Sequence, residues 1–145
     1  MKKILCSTGA LIGMPNNRDF SLIKKCVPNI NSDGFEFMMY STWYDKVPNL
    51  LKELKKCETE FPVMHCEKHI GEDLGKNADG NFYTAKEKFK VNCKIANEIG
   101  AKRMVMHLWD GIYSDTTIEN NIKGYGELIK IAEENEIDLY IENVV

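Results

Sequence analysis

No apolar run in this chain approaches the roughly 18 residues that a bilayer-spanning helix needs, and the mean hydropathy of −0.36 points away from a membrane. The opening MKKILC is broken at once by Ser7, Thr8 and Gly9, which leaves too short an apolar stretch for a secretory leader. There is no CxxC pair. The five cysteines, Cys6, Cys26, Cys57, Cys66 and Cys93, are odd in number and far apart, which argues against a disulfide framework or a Cys-rich zinc knuckle and for reduced, buried thiols. Positive charge is not in excess: 19 Lys and Arg against 22 Asp and Glu give a net charge of −3. No global positive field therefore draws the chain to nucleic acid, although a local basic cleft stays open. Linkers, low-complexity tracts and short internal repeats are lacking too. The expectation is a cytoplasmic protein, its 145 residues forming one domain.

What is present is a recurring alternation. Short runs rich in Val, Ile, Phe, Tyr and Met at 3–7, 35–39, 62–66, 103–109 and 139–144 read as strands. Between them lie helical stripes: Phe20, Ile23, Val27 and Ile30, with Pro28 ending the helix early; then Val47, Leu50, Leu51, Leu54 and Cys57. A third stripe, Phe89, Cys93, Ala96 and Ile99, opens on a Thr84/Glu87 capping box and stops at Gly100. A fourth starts at Asp115 or Thr116, with a Thr116/Glu119 box, and places Ile118, Ile122, Tyr125, Ile129 and Ala132 on one side. Strands and helices alternating without hairpin signals predict parallel strands and right-handed crossovers. The fold class is α/β: about five parallel strands and four intervening helices, with a unit length of roughly 34 residues that suits part of a (β/α)₈ barrel. The long stretch after the third strand, EKHIGEDLGKNADGNFYTAKEK, is read as a candidate active-site loop.

Chemistry in such barrels sits at the C-terminal ends of the strands. Alternation pairs Phe35 with Phe37, Met104 with Met106, and Leu139 with Ile141. If these apolar faces meet the helices, Glu36, His65, His107 and Glu142 point together into the barrel mouth. Imidazoles and carboxylates in that arrangement suit a divalent ion such as Zn, Mn, Mg or Co. A lone strand-end histidine is more often structural, and Glu36 could form an ion pair; Glu142, on a strand buried on both faces, is harder to explain without a partner or a metal. His69 lies four residues after His65, but HCEKH lacks the HExxH order. Trp43 and Trp109 follow the second and fourth strands and could wall a sugar or base pocket or equally cap the core. STGALIG matches neither a P-loop nor GxGxxG.

The series DGFEF, PVMHC, MVMHLWDG and IDLYIENVV resembles the first half of the xylose isomerase-like TIM barrels, a superfamily of sugar and sugar-phosphate isomerases and epimerases with apurinic-site endonuclease relatives. The resemblance runs from the first strand to the fifth. It implies that Glu142, followed by Asn143, is a metal ligand that doubles as acid/base, and that His65 and His107 match histidines used by the endonuclease branch. It also implies ligands from strands six to eight, which the 145 residues do not contain. The expectation is therefore the N-terminal part of a barrel truncated after strand five, inactive alone, with open edges that favour a homo-oligomer. For the longer protein the expected activity is metal-dependent isomerisation or epimerisation of a sugar or sugar phosphate, with Glu142 catalytic, Glu142, His107 and His65 holding the metal, and Glu36, His69, Trp109 and Trp43 lining the substrate site. The alternatives are a metal-dependent phosphodiester hydrolase acting at abasic sites and a non-catalytic barrel fragment.

Overall fold

Alternation along the strands decides which residues meet the helices and which meet the barrel axis. A computed structural model describes residues 3–76, 82–108 and 118–142. Its strands are β1 (Cys6–Ser7), β2 (Phe35–Met38), β3 (Val63–His65), β4 (Arg103–His107) and β5 (Asp138–Glu142), and they form one sheet in chain order. Every neighbouring pair is parallel. In register, Phe37, Met64, Met104 and Leu139 lie side by side, and so do Met38, His65, Val105 and Tyr140. The first row is the apolar layer under the helices, with Phe37, Met64 and Met104 buried. The second row belongs to the opposite, concave face, which also carries Glu36 and the pair His107 and Glu142. This is the five-strand part of a (β/α)₈ barrel.

The helices are α1 (Ile23–Cys26), α2 (Val47–Leu54), α3 (His69–Gly75), α4 (Tyr83–Ile99) and α5 (Ile118–Glu134). The predicted first helix is broken into 3₁₀ turns at Phe20–Leu22 and Val27–Asn29 around the single turn of α1. Pro28 fits the end of α1, because without an N–H it cannot extend the helical hydrogen-bond ladder, and the chain runs on as the 3₁₀ turn Val27–Asn29. α2 buries Val47, Leu50 and Leu54 and α4 buries Phe89, Cys93 and Ala96, while Leu51, Ile99 and Cys57, which lies beyond α2, are partly buried; Gly100 takes φ 79° to close α4 with its N–H on the carbonyls of Ala96 and Asn97. The Thr84/Glu87 capping box does not form. α4 already begins at Tyr83, after Phe82 at φ 55°, and no side chain caps it; Phe82 is instead buried in the core. The Thr116/Glu119 box involves Thr116, outside the described residues.

Two further expectations change. The supposed loop after β3 contains α3, packed against α4, α5 and β4. α5 is rotated from the predicted stripe: Asn121, Gly124, Leu128, Ile131 and Ala132 are buried, whereas Ile122 is 60% exposed. The cause is close approach at Gly124, where an added Cβ would stand 2.4 Å from Leu74 Cδ2 of α3 and 3.0 Å from the Phe82 ring. Only the glycine side of α5 can come so near, and that turns Ile122 to the surface.

Candidate metal centre

β3, β4 and β5 each end on one polar side chain of the concave face. Glu142 Oε2 lies 3.0 Å from His65 Nε2 and 3.3 Å from His107 Nε2. The two imidazole rings meet edge to face with centroids 4.9 Å apart. One ligand atom from each of the three residues falls within 4.8 Å of the others. Ligand atoms bound at 2.0–2.2 Å to one ion stand roughly 3 to 4 Å apart, so the spacing suits a shared cation. His65 is almost completely buried, His107 is partly buried, and the Glu142 side chain is 52% exposed.

The protonation of His65 sharpens this fit. Its Nδ1 is 3.0 Å from the Cys66 carbonyl oxygen, which can only accept, so Nδ1 carries the hydrogen. In the neutral ring Nε2 then presents a lone pair to the Glu142 carboxylate, and two acceptors at hydrogen-bond distance repel. A proton on Nε2 or a metal ion between them removes the conflict. The backbone carbonyl that fixes the ring is the usual outer partner of a metal-bound histidine. With that proton on Nε2, the hydrogen bond from His65, together with the charges of His65 and His107, holds the Glu142 carboxyl below the usual carboxylate range against the opposing effect of burial. Two imidazoles and an ionised carboxylate are a donor set for zinc, manganese or a similar ion.

The other predicted residues separate. Glu36 shares the concave hollow with Met38, His65, Val105, His107, Tyr140 and Glu142. It accepts a hydrogen bond of 3.2 Å from Ser7 Oγ and stands apart from the His–Glu cluster. His69 sits at the start of α3 and lines a second recess at the strand ends together with Arg18, Tyr40, His65 and His107. Trp43 is 2% exposed, ringed by Phe20, Phe37 and Tyr40, and donates from Nε1 to the Arg18 carbonyl at 2.8 Å. That is a place in the core under the loops, the other reading open to it from sequence. Trp109 and Asn143 lie outside the described residues.

Glu67 escaped the sequence reading. It is 2% exposed, and its Oε1 accepts from the His69 backbone N–H at 3.0 Å and makes a short contact with His69 Nδ1. The Lys88 ammonium lies 3.8 Å from Oε2. Asn92, behind it, accepts from the Glu67 N–H and donates to Tyr44 Oη. The Tyr44 hydroxyl is pushed far up by burial, then by the Glu67 charge. The carboxylate thus fixes the His69 ring at the rim of the recess. The only signal in the sequence was an acidic residue directly after an apolar strand.

No known family pattern matches the chain, and no curated protein matches it by sequence. Solved structures do match its fold. The crystal structure of 3-keto-D-glucoside 4-epimerase from E. coli, in its apo form, superposes with a TM-score of 0.66 at 13% identity, covering 99% of this chain and 57% of its own. That of a D-tagatose 3-epimerase-like protein gives 0.68 at 18% identity, covering 99% of this chain and 53% of its own. This chain therefore spans little more than half the length of two sugar-epimerase structures and shares the fold of that half.

Proposed function

We propose that His65, His107 and Glu142 hold a divalent metal ion and that the protein acts as a sugar or sugar-phosphate isomerase or epimerase. The observation that carries this reading is the convergence of one carboxylate and two imidazole nitrogens at the C-terminal ends of three adjacent parallel strands. Support for a sugar comes from the fold shared with the two epimerase structures. A bound divalent ion would polarise neighbouring carbonyl and hydroxyl oxygens of the substrate. His65, held by the Cys66 carbonyl, directs Nε2 to the centre and carries no proton there in its ligand form. A divalent ion held beside Glu142 would keep its carboxyl ionised, the form a base needs to take a proton from the carbon beside a carbonyl. In isomerisation the same carboxyl returns that proton to the neighbouring carbon.

The test is metal uptake by the purified chain, followed by calorimetry and by the visible spectrum with Co²⁺. One ion per chain is expected, with affinity lowered at least tenfold in Glu142→Gln and in His107→Ala. Unchanged stoichiometry and affinity in both variants would remove these residues from the site. A second reading, metal-assisted phosphodiester hydrolysis at abasic DNA, draws on the two histidines that the resemblance relates to the endonuclease branch. Cleavage of an abasic duplex by the protein, with no turnover of ketoses, would favour it.

A further inference from the structure

Arg18 belongs to no motif, yet its position is heavily determined. Asn17 and Arg18 take φ of 54° and 52°, the left-handed region that side chains other than glycine seldom adopt. Hydrogen bonds on both sides hold this geometry: the Arg18 N–H donates to the Gly13 carbonyl at 2.9 Å, and its own carbonyl accepts from the buried Trp43 at 2.8 Å. The guanidinium carbon rests 4.9 Å from the centroid of the Tyr40 ring. Tyr40 is fixed in turn by donating from its hydroxyl to the Ile12 carbonyl at 2.6 Å. Arg18 Nε is buried and has no hydrogen-bond partner, and no described carboxylate pairs with the guanidinium. The side chain lines the same recess as His65, His69 and His107.

A guanidinium is charged at every accessible pH, and partial burial without a counter-ion is unfavourable. An aromatic shelf and an anchored backbone preorganise its donors in a recess that His65 and His107 also line. Such a fork matches the paired oxygens of a phosphate or carboxylate. A neutral hydroxyl would leave the charge uncompensated. We propose that Arg18 binds an oxyanion carried by the substrate, so that the molecule handled at His65, His107 and Glu142 is a phosphorylated or carboxylated sugar. This rests on the recess being the substrate site and narrows the substrate class.

The chain has two arginines, Arg18 and Arg103. Arg103 is exposed at the opposite, N-terminal end of β4 and serves as an internal control. The experiment records the arginine Nε–H resonances of the full chain, stripped of metal on a chelating resin, during titration with inorganic phosphate, acetate and D-fructose. Arg103→Lys assigns the two signals. The expected result is a saturable shift of the Arg18 signal with an oxyanion and none with fructose, while Arg103 stays still. Arg18→Gln should weaken phosphate binding at least tenfold, with Arg18→Lys intermediate. A response to phosphate alone indicates a phosphate ester, and a response to acetate alone a sugar acid. Equal movement of both arginines, no movement of Arg18, or a response to fructose only would overturn the proposal. Because the protein is metal-free, this outcome stands apart from the metal-uptake test.

Discussion

At the scale of single residues, burial sets the chemistry of the thiols. Cys93 is fully buried, and its thiol is pushed up to about 12 by desolvation. Cys66, almost as buried, lies well above the ordinary thiol range because of burial, then of its neighbours Cys93 and Glu67. Neither presents a thiolate near neutral pH, and thiolates are what alkylating agents capture. Iodoacetamide at about pH 8 should therefore label Cys66 and Cys93 only after urea unfolds the chain, as read by mass spectrometry of digests. The linkage has a definite sign. A thiol whose value is raised by folding leaves stability intact below about 8.5, the value in an unfolded chain. Above that, the unfolded state releases protons that the folded state keeps, and stability falls toward the folded value. Tyr44 acts in the same direction. The urea midpoint should hold steady from about pH 7 to 8 and drop through about pH 10.

At the scale of elements, α3 is where sequence and structure part most clearly. Its seven residues include Gly71 and Gly75, a poor helix by propensity, so the segment reads as loop. Packing decides otherwise. An added Cβ at Gly71 would stand 2.5 Å from the His107 carbonyl oxygen and 2.7 Å from that of Leu108. Asn121 of α5, buried, donates to the carbonyls of Gly71 and Leu108 and ties α3, α5 and the end of β4 together. Backbone atoms cannot swing aside, so Gly71→Ala should cost about 1–3 kcal/mol in urea denaturation. Because the displaced backbone belongs to His107, metal affinity should fall as well. Gly126, inside α5 with nothing within 4 Å of an added Cβ, is the contrasting case. Gly126→Ala should stabilise by roughly 0.5–1 kcal/mol and leave metal uptake unchanged.

At the scale of the whole molecule, the sheet has two edges, and among the described residues β5 pairs on one side only, with β4. Tyr140 and Ile141 are 51% and 41% exposed on it. A parallel strand with apolar side chains and unpaired backbone groups is a template for further pairing. The 145-residue chain should self-associate at micromolar concentration in analytical ultracentrifugation, and Tyr140→Lys with Ile141→Lys should return it to monomer. A wild-type chain that stays monomeric would show that this edge is protected.

The sequence by itself determined the alternation of strands and helices, the parallel order, and the shared face of Glu36, His65, His107 and Glu142, because period-two patterning and strand order are local and additive along the chain. Tertiary structure alone decided that Glu142 reaches both imidazoles, that α3 is a helix, that α5 turns its Gly124 side inward, and that Trp43 supports Arg18 from the core. Those outcomes depend on close approach between residues far apart in the chain, down to a single Cβ or carbonyl, and no spacing rule records such distances.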